Sequence, residues 1–332
     1  MLIAKESSQT ELNRLDFRKS VAVIPAAPLE RHGPHLPVGT DLIIAEQLSV
    51  RLAGRIERRF NDIQAVLYPS VPLGSHVVSG PGSTSVRQNI FQGVLFDILR
   101  SLSRTGFRFA VIVSSHGGIG NIVAVEEAAE QARRELGMRV EPALSAVIVP
   151  FVTGRFLKEI EAVCPLGPED RRLLASDIHG GQWETGFILT ERPDLVADDY
   201  AELPDILFSG WLSLREIMAK SCAQGLGYVG APSRTSLEYT AAATEVLVQK
   251  LEQRVHALLY DRRFRPSHTP FYYWPAYRSK RLYSSAQVKR AAALSLTLGC
   301  AIGFLARAGQ SRPIGRSVAG AEDVPSVERI EE

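Results

Sequence analysis

Cysteine is scarce in this chain. Three stand in 332 residues, Cys164, Cys222 and Cys300, far apart and without C-x-x-C spacing. Their scarcity excludes a disulfide framework and a thiolate zinc ribbon, and it fits a reducing compartment. A dominant charge sign is also missing. The 38 basic and 36 acidic residues leave a formal net charge of +2, so nothing argues for a nucleic-acid partner. The N-terminus carries charge from Lys5 onward and lacks the apolar core of a secretion signal, so a cytoplasmic protein is expected. The nearly uncharged stretch 291–306 has 16 residues, short of the roughly 20 that cross a bilayer. Lys289, Arg290 and Arg307 flank it, and Gly299 and Gly303 form a small-xxx-small pair. We read it as a helix packed on a neighbour or subunit, with membrane contact the lesser alternative. No internal repeat, phosphate-binding lysine or dinucleotide glycine fingerprint is present.

What remains is a chain of ordinary globular composition, 45% hydrophobic and 22% charged, long enough for one large or two ordinary domains. Its most informative stretch is Glu30-Arg31-His32-Gly33-Pro34-His35-Leu36-Pro37-Val38-Gly39-Thr40-Asp41. It follows an apolar run at 21–27, read as a buried strand, and precedes helical spacing of Leu42, Ile43, Ala45, Leu48, Leu52 and Ile56. Glu30 and His32 sit two apart, so an extended backbone sends both side chains the same way. The glycines and prolines turn the chain back, with Thr40 as the expected N-cap and Asp41 at the helix start. Carboxylates and imidazoles gathered at a strand end suit a divalent cation.

Two further units repeat the theme. An apolar strand at 107–113 runs into Ser114-Ser115-His116-Gly117-Gly118-Ile119-Gly120-Asn121 and a helix from about 121 to 136. Strand, glycine turn and helix make a unit of a parallel sheet, whose ligands bind at the strands' carboxyl ends. Asp177-Ile178-His179-Gly180-Gly181-Gln182-Trp183-Glu184 then brings another imidazole between acids, with a helix expected from 187 to 196. A strand at 65–71 leads through Ser75 and His76 to a turn, after which Thr84 or Ser85 is the expected cap of the next helix. A further strand is expected at 140–149, and a long amphipathic helix at 236–259.

These motifs, Glu30-x-His32-Gly33-Pro34-His35 through Asp41, the strand into His116-Gly117-Gly118, and His179 followed by Glu184-Thr185, resemble the creatininase family of metal-dependent amidohydrolases. The likeness covers about residues 18 to 260. It implies an α/β fold, a three-layer α/β/α sandwich on a mostly parallel sheet, in a domain 1–260 followed by a C-terminal extension 261–332 of unknown role. It also implies two divalent ions, Zn, Mn or Fe, and a homo-oligomer, with a hexamer common in the family. Glu30 and His116 would hold one ion, His32 the other, and Asp41 would bridge them. His179 would act as base and acid. Creatininase itself has an acid two residues after the strand-end histidine, where this chain has Gly118. That departure speaks against creatinine as the substrate and leaves Glu184 as the second ion's ligand or as a catalytic group. Ser75, His76, Gly117, Gly118, Trp183 and Asp177 are candidates for substrate contact, with core packing the alternative for Trp183. His35 is expected to orient the ligands.

The activity implied is hydrolysis of an amide, lactam or formamide C–N bond in a small molecule by a metal-activated water. The alternatives are a peptidase trimming a small modified peptide, of the mycofactocin type, and a metal-poor binding or assembly subunit.

Overall fold

The computed structural model describes residues 1–208 and 211–278. Five strands pair in parallel: β1 (Leu2–Ile3), β2 (Ser20–Pro25), β3 (Gln64–Leu67), β4 (Phe109–Val113) and β5 (Arg139–Pro142), in the spatial order β1-β3-β2-β4-β5. β2 is apolar and wholly buried, as a strand covered on both faces must be. Val21 and Val23 face one way, and Ala22 and Ile24 the other.

Each face has its own helical layer. Helix α1 (Thr40–Arg59) presents Ile44, Leu48, Leu52 and Ile56 at helical spacing to the Val21/Val23 face. Helices α4 (Gln182–Glu191) and α5 (Leu237–Tyr260) join it there, through Phe187, Leu247 and Leu251 among others. Helices α2 (Gln88–Thr105) and α3 (Ile119–Leu136) cover the opposite face with Phe91, Leu95, Leu99 and an alanine-rich stripe. The result is the expected three-layer α/β/α sandwich. Truncating a side chain such as Leu48, 0% exposed, to alanine would cost about 2–5 kcal/mol.

Topology fixes where chemistry belongs. From β2 the chain crosses through α1 to β3 on one side, while β4 pairs with the other side of β2 and proceeds through α3 to β5. The carboxyl ends of β2 and β4, aligned at Pro25 and Val113, therefore flank the switch point where an open sheet leaves a crevice. The loops holding Glu30 to Asp41 and His116 both issue from it.

Several local expectations are corrected. The N-cap of α1 is Gly39, and the Thr40 hydroxyl instead donates to the Pro37 carbonyl at 2.7 Å. α2 starts after Arg87, with no side-chain cap from Thr84 or Ser85. β5 stops at Pro142, which has no N–H to extend a ladder, and a π-helical turn, Leu144–Ile148, replaces the expected strand end. α4 starts five residues early because the Asp177 carboxylate accepts from the Gln182 and Trp183 N–H groups at 2.7 and 3.0 Å. The start of the extension packs on the domain, burying Phe264, Tyr272 and Tyr277. Thr269 N–H donates to Glu126 on α3, Ser267 hydrogen-bonds Glu141, and Gln88 donates to the Tyr277 carbonyl at 2.7 Å. The stretch 291–306 lies outside the described residues, and no described helix is long and apolar enough to cross a membrane.

Candidate metal centre

The loop after β2 carries Glu30 and His32, and it closes when Glu30 N–H donates to the Val38 carbonyl at 2.8 Å. This brings Asp41, in the first turn of α1, beside both. His116 arrives from the end of β4, with Nδ1 2.8 Å from Glu30 Oε2 and 3.2 Å from Asp41 Oδ2. His32 Nε2 lies 3.6 Å from Asp41 Oδ1 and 3.7 Å from Glu184 Oε2, on the first turn of α4. Glu30, Asp41 and His116 form one three-ligand set, and His32, Asp41 and Glu184 another, each within 4.8 Å. Asp41 belongs to both. A third grouping, Glu30, His32 and His179, overlaps them.

Each imidazole is anchored through its far nitrogen. His32 Nδ1–H donates to the Glu30 carbonyl at 2.9 Å, His116 Nε2–H to the Ser75 carbonyl at 3.1 Å, and His179 Nε2–H to the Arg31 carbonyl at 2.7 Å. The far nitrogen of each ring thereby keeps its proton, so the nitrogen facing the centre is the one that can give up a proton and serve as a ligand. The carboxylates are steadied in the same way. Val78 N–H donates to Glu30, and Gly180 N–H to Glu184 at 2.6 Å.

The electrostatics call for a cation. Burial alone would push protons onto Glu30 and Asp41, yet the adjacent imidazoles hold both carboxylates below their usual range. Burial likewise opposes charge on His32, but Asp41 and Glu184 outweigh it and raise the ring to about 10; His116 is raised for the same reason by Glu30 and Asp41. Glu184 is pushed up to about 7 by burial, which the nearby Asp41 reinforces against the opposing pull of His32. Protons on imidazoles thus do the work of balancing three enclosed carboxylates, with no lysine or arginine pairing to them among the described residues. Two buried atoms at the heart of the cluster, His32 Nε2 and Asp41 Oδ2, have no hydrogen-bond partner. An all-nitrogen-and-oxygen donor set with orphaned buried atoms fits divalent ions, which would displace the imidazole protons.

The remaining candidates take varied places. Asp177 caps α4 and does not pair with His179. Trp183 is 4% exposed and stacks edge-on against Phe151 and Phe187 in the core. Ser75 contributes its backbone carbonyl to His116. His76, with φ of 63°, lays its ring against Gly120 and accepts that residue's N–H at 3.3 Å. Gly117 is open on its Cβ side, whereas a Cβ at Gly118 would stand 2.5 Å from His116 Nε2 and 2.7 Å from the His76 carbonyl. No side chain fits at Gly118 as the chain stands. His35 donates to or accepts from Thr185 Oγ1 at 3.0 Å, bracing the ligand loop against α4.

Sequence reasoning overlooked two helpers. Ser115 Oγ donates to the Asp41 carbonyl at 2.6 Å, and buried Asn121 bridges the Ser75 N–H and the His116 carbonyl. Their only signal was position beside the glycine turn.

The sequence profile described as Creatininase: Creatinine amidohydrolase matches residues 5–255. The chain belongs to the creatininase family of amidohydrolases. A creatinine amidohydrolase from Pseudomonas putida is 31% identical over 184 residues, 53% of this chain and 66% of that protein. A mycofactocin precursor peptide peptidase from Mycolicibacterium smegmatis is 28% identical over 239 residues, 68% of this chain and 77% of that protein. Among solved structures, a manganese creatininase superposes with a TM-score of 0.58 at 24% identity, covering 78% of this chain and 99% of its own; that likeness concerns the fold. In this chain the second candidate grouping includes Glu184, and position 118 is a glycine.

Proposed function

We propose that this chain hydrolyses the C–N bond of an amide, lactam or formamide in a small molecule, using two divalent ions. One observation carries the reading: two candidate three-ligand sets that share Asp41 and contain buried polar atoms, His32 Nε2 and Asp41 Oδ2, without a hydrogen-bond partner. Glu30, Asp41 and His116 would hold one ion, and His32, Asp41 and Glu184 the other. When bound, such ions lower the pKa of water and polarise a carbonyl oxygen. Zn, Mn and Fe all suit these donors.

The chain's own residues supply the rest. His179, held by the Arg31 carbonyl at Nε2, turns Nδ1 toward the cluster, with its ring 4.1 Å from that of His32. Burial and the neighbouring His32 lower it to about 4, so the free ring is neutral and its Nδ1 can accept a proton and return it to the leaving nitrogen. Glu184 is a second acid–base group wherever the ion it would share with His32 is absent. Ser75, His76 and Gly118 pack at the far nitrogen of His116, behind the ring, and with Gly117 they are proposed to border the substrate.

Metal analysis of protein purified without chelator tests the reading, together with a screen of lactams, formamides and short peptides. About two ions per chain and turnover of one class are expected, with Asp41→Asn losing both ions. Metal at trace level would refute the hydrolase and favour a binding or assembly subunit. Likeness to the mycofactocin peptidase supports a second reading, trimming of a short modified peptide; turnover of peptides but no lactam would select it. We further propose a cytoplasmic homo-oligomer, which light scattering on purified protein would check.

A further inference from the structure

A cavity of about 490 Å³ lies along residues 151–154, 157–160 and 171–178. None of the candidate metal ligands lines it. Apolar side chains of Phe151, Leu157, Ile160, Leu174 and Phe208 line part of its wall. Polar groups come from Thr153, Asp177 and Tyr239. Each Asp177 carboxylate oxygen takes one α4 N–H and keeps a lone pair for a further donor. Arg171 also borders the cavity, but its charge is taken up by Glu161 at 2.5 Å, so no free cation invites an acid.

The cavity's lining adjoins, along the chain and through one ring contact, the side of the centre that carries His179 and Glu184. Glu30, His32, Asp41 and His116 are each at most 3% exposed, while Glu184 is 14% exposed and His179 is half-buried. Solvent therefore reaches the centre on the His179/Glu184 side. Asp177 and Ile178, which line the cavity, immediately precede His179. Phe151, in its wall, stacks on Trp183, the neighbour of Glu184.

Resting on the hydrolase reading above, we infer that this cavity receives the non-reacting part of the substrate: an aromatic or aliphatic group carrying an ammonium or other donor toward Asp177 and Tyr239. A compact lactam would leave such a space empty, whereas 300–1,000 Å³ is the range of pockets that enclose whole organic ligands. The substrate class is then an amide with an apolar, amine-bearing arm.

Calorimetric titration with phenethylamine tests the cavity without needing turnover. Saturable one-to-one binding is expected, equal in metal-loaded and metal-stripped protein. Leu174→Trp, or Ala175→Phe should the first not fold, is expected to weaken it at least tenfold. Asp177→Asn is expected to weaken phenethylamine but not 2-phenylethanol. The link to the centre is read with two metal-binding probes on loaded protein, 3-phenylpropanohydroxamic acid and acetohydroxamic acid. The aryl probe is expected to bind at least tenfold tighter in wild type, with that advantage lost in the cavity-filled variant. No phenethylamine binding, or an equal advantage in both proteins, overturns the inference. Phenethylamine binding with neither hydroxamate bound and no metal retained would leave the cavity as a ligand site and sink the hydrolase reading instead.

Discussion

Gly118→Ala puts the geometry of the centre to a quantitative test. The added Cβ would meet His116 Nε2 at 2.5 Å and the His76 and Ser75 carbonyls at 2.7 and 2.9 Å, where ordinary contact begins at 3.4 Å. Two of the three obstacles are backbone, so the ring of His116 has to retreat, by about 0.9 Å. That breaks its 3.1 Å bond to Ser75 and moves Nδ1 relative to Glu30 and Asp41. Ligand constellations tolerate displacements of about 0.5 Å, and loss of an outer hydrogen bond to a metal-binding histidine costs roughly 10–100-fold in metal affinity. We expect zinc affinity to fall by that factor, equivalent to about 1.4–2.7 kcal/mol, with overpacking removing about 1–3 kcal/mol of stability besides. Chelator-competition titration measures the first and denaturant unfolding the second. Gly117→Ala is the control, since its Cβ meets nothing within 4 Å and zinc affinity should be unchanged. Zinc binding by Gly118→Ala within about threefold of wild type would show that His116 is not held as described.

Other outcomes follow from the same structure. Glu126 is raised to about 7 chiefly by burial, so between pH 4.5 and 7 the folded state keeps a proton that the unfolded chain has released, and stability falls with rising pH by about 3 kcal/mol. Glu126→Gln should flatten that slope in urea unfolding; after about 1 kcal/mol for its unpaired amide N–H, it should be more stable than wild type at pH 8.5 by about 2 kcal/mol and less stable near pH 4.5. A parallel pH dependence in both proteins would contradict this. His179→Gln should lower kcat by about 10²–10⁴-fold while metal content stays within twofold of wild type, as read by elemental analysis. Stripping divalent metal should lower the melting temperature, and re-adding it at about 100 times Kd should return about 2.7 kcal/mol; identical melting curves with and without metal would argue against the paired ligand sets.

Much of this was legible in the residues. The runs 21–27 and 107–113 marked β2 and β4, and their parallel pairing followed from the helices between them. Glu30 and His32 betrayed their shared direction by spacing alone, and Asp41 by its place after a loop that has to reverse. The meeting of His116 with Glu30 and Asp41 depended on the switch point, which the order of strand and helix units implied. What stayed hidden was tertiary. Asp177 caps α4 from five residues away, so local capping rules started that helix too late. Ser115 and Asn121 act through hydrogen bonds that span the centre and leave no periodic trace. The halt of β5 at Pro142 depends on an edge position that pattern reading did not assign. The steric closure of Gly118 is visible only once His116 and the Ser75–His76 backbone are set around it.

The grip of residues 264–277 on the flank of α3 changes how the chain can be shortened. A cut after Tyr260 would take away the Thr269 donor of Glu126 and the Ser267 donor of Glu141, leaving Glu141 only its ion pair with Arg254, and would open toward water two acids now sealed inside. Such a fragment would also lose the buried Phe264, Tyr272 and Tyr277, so its stability would change together with any role of the tail. Deletions meant to isolate that role have to begin beyond Arg278.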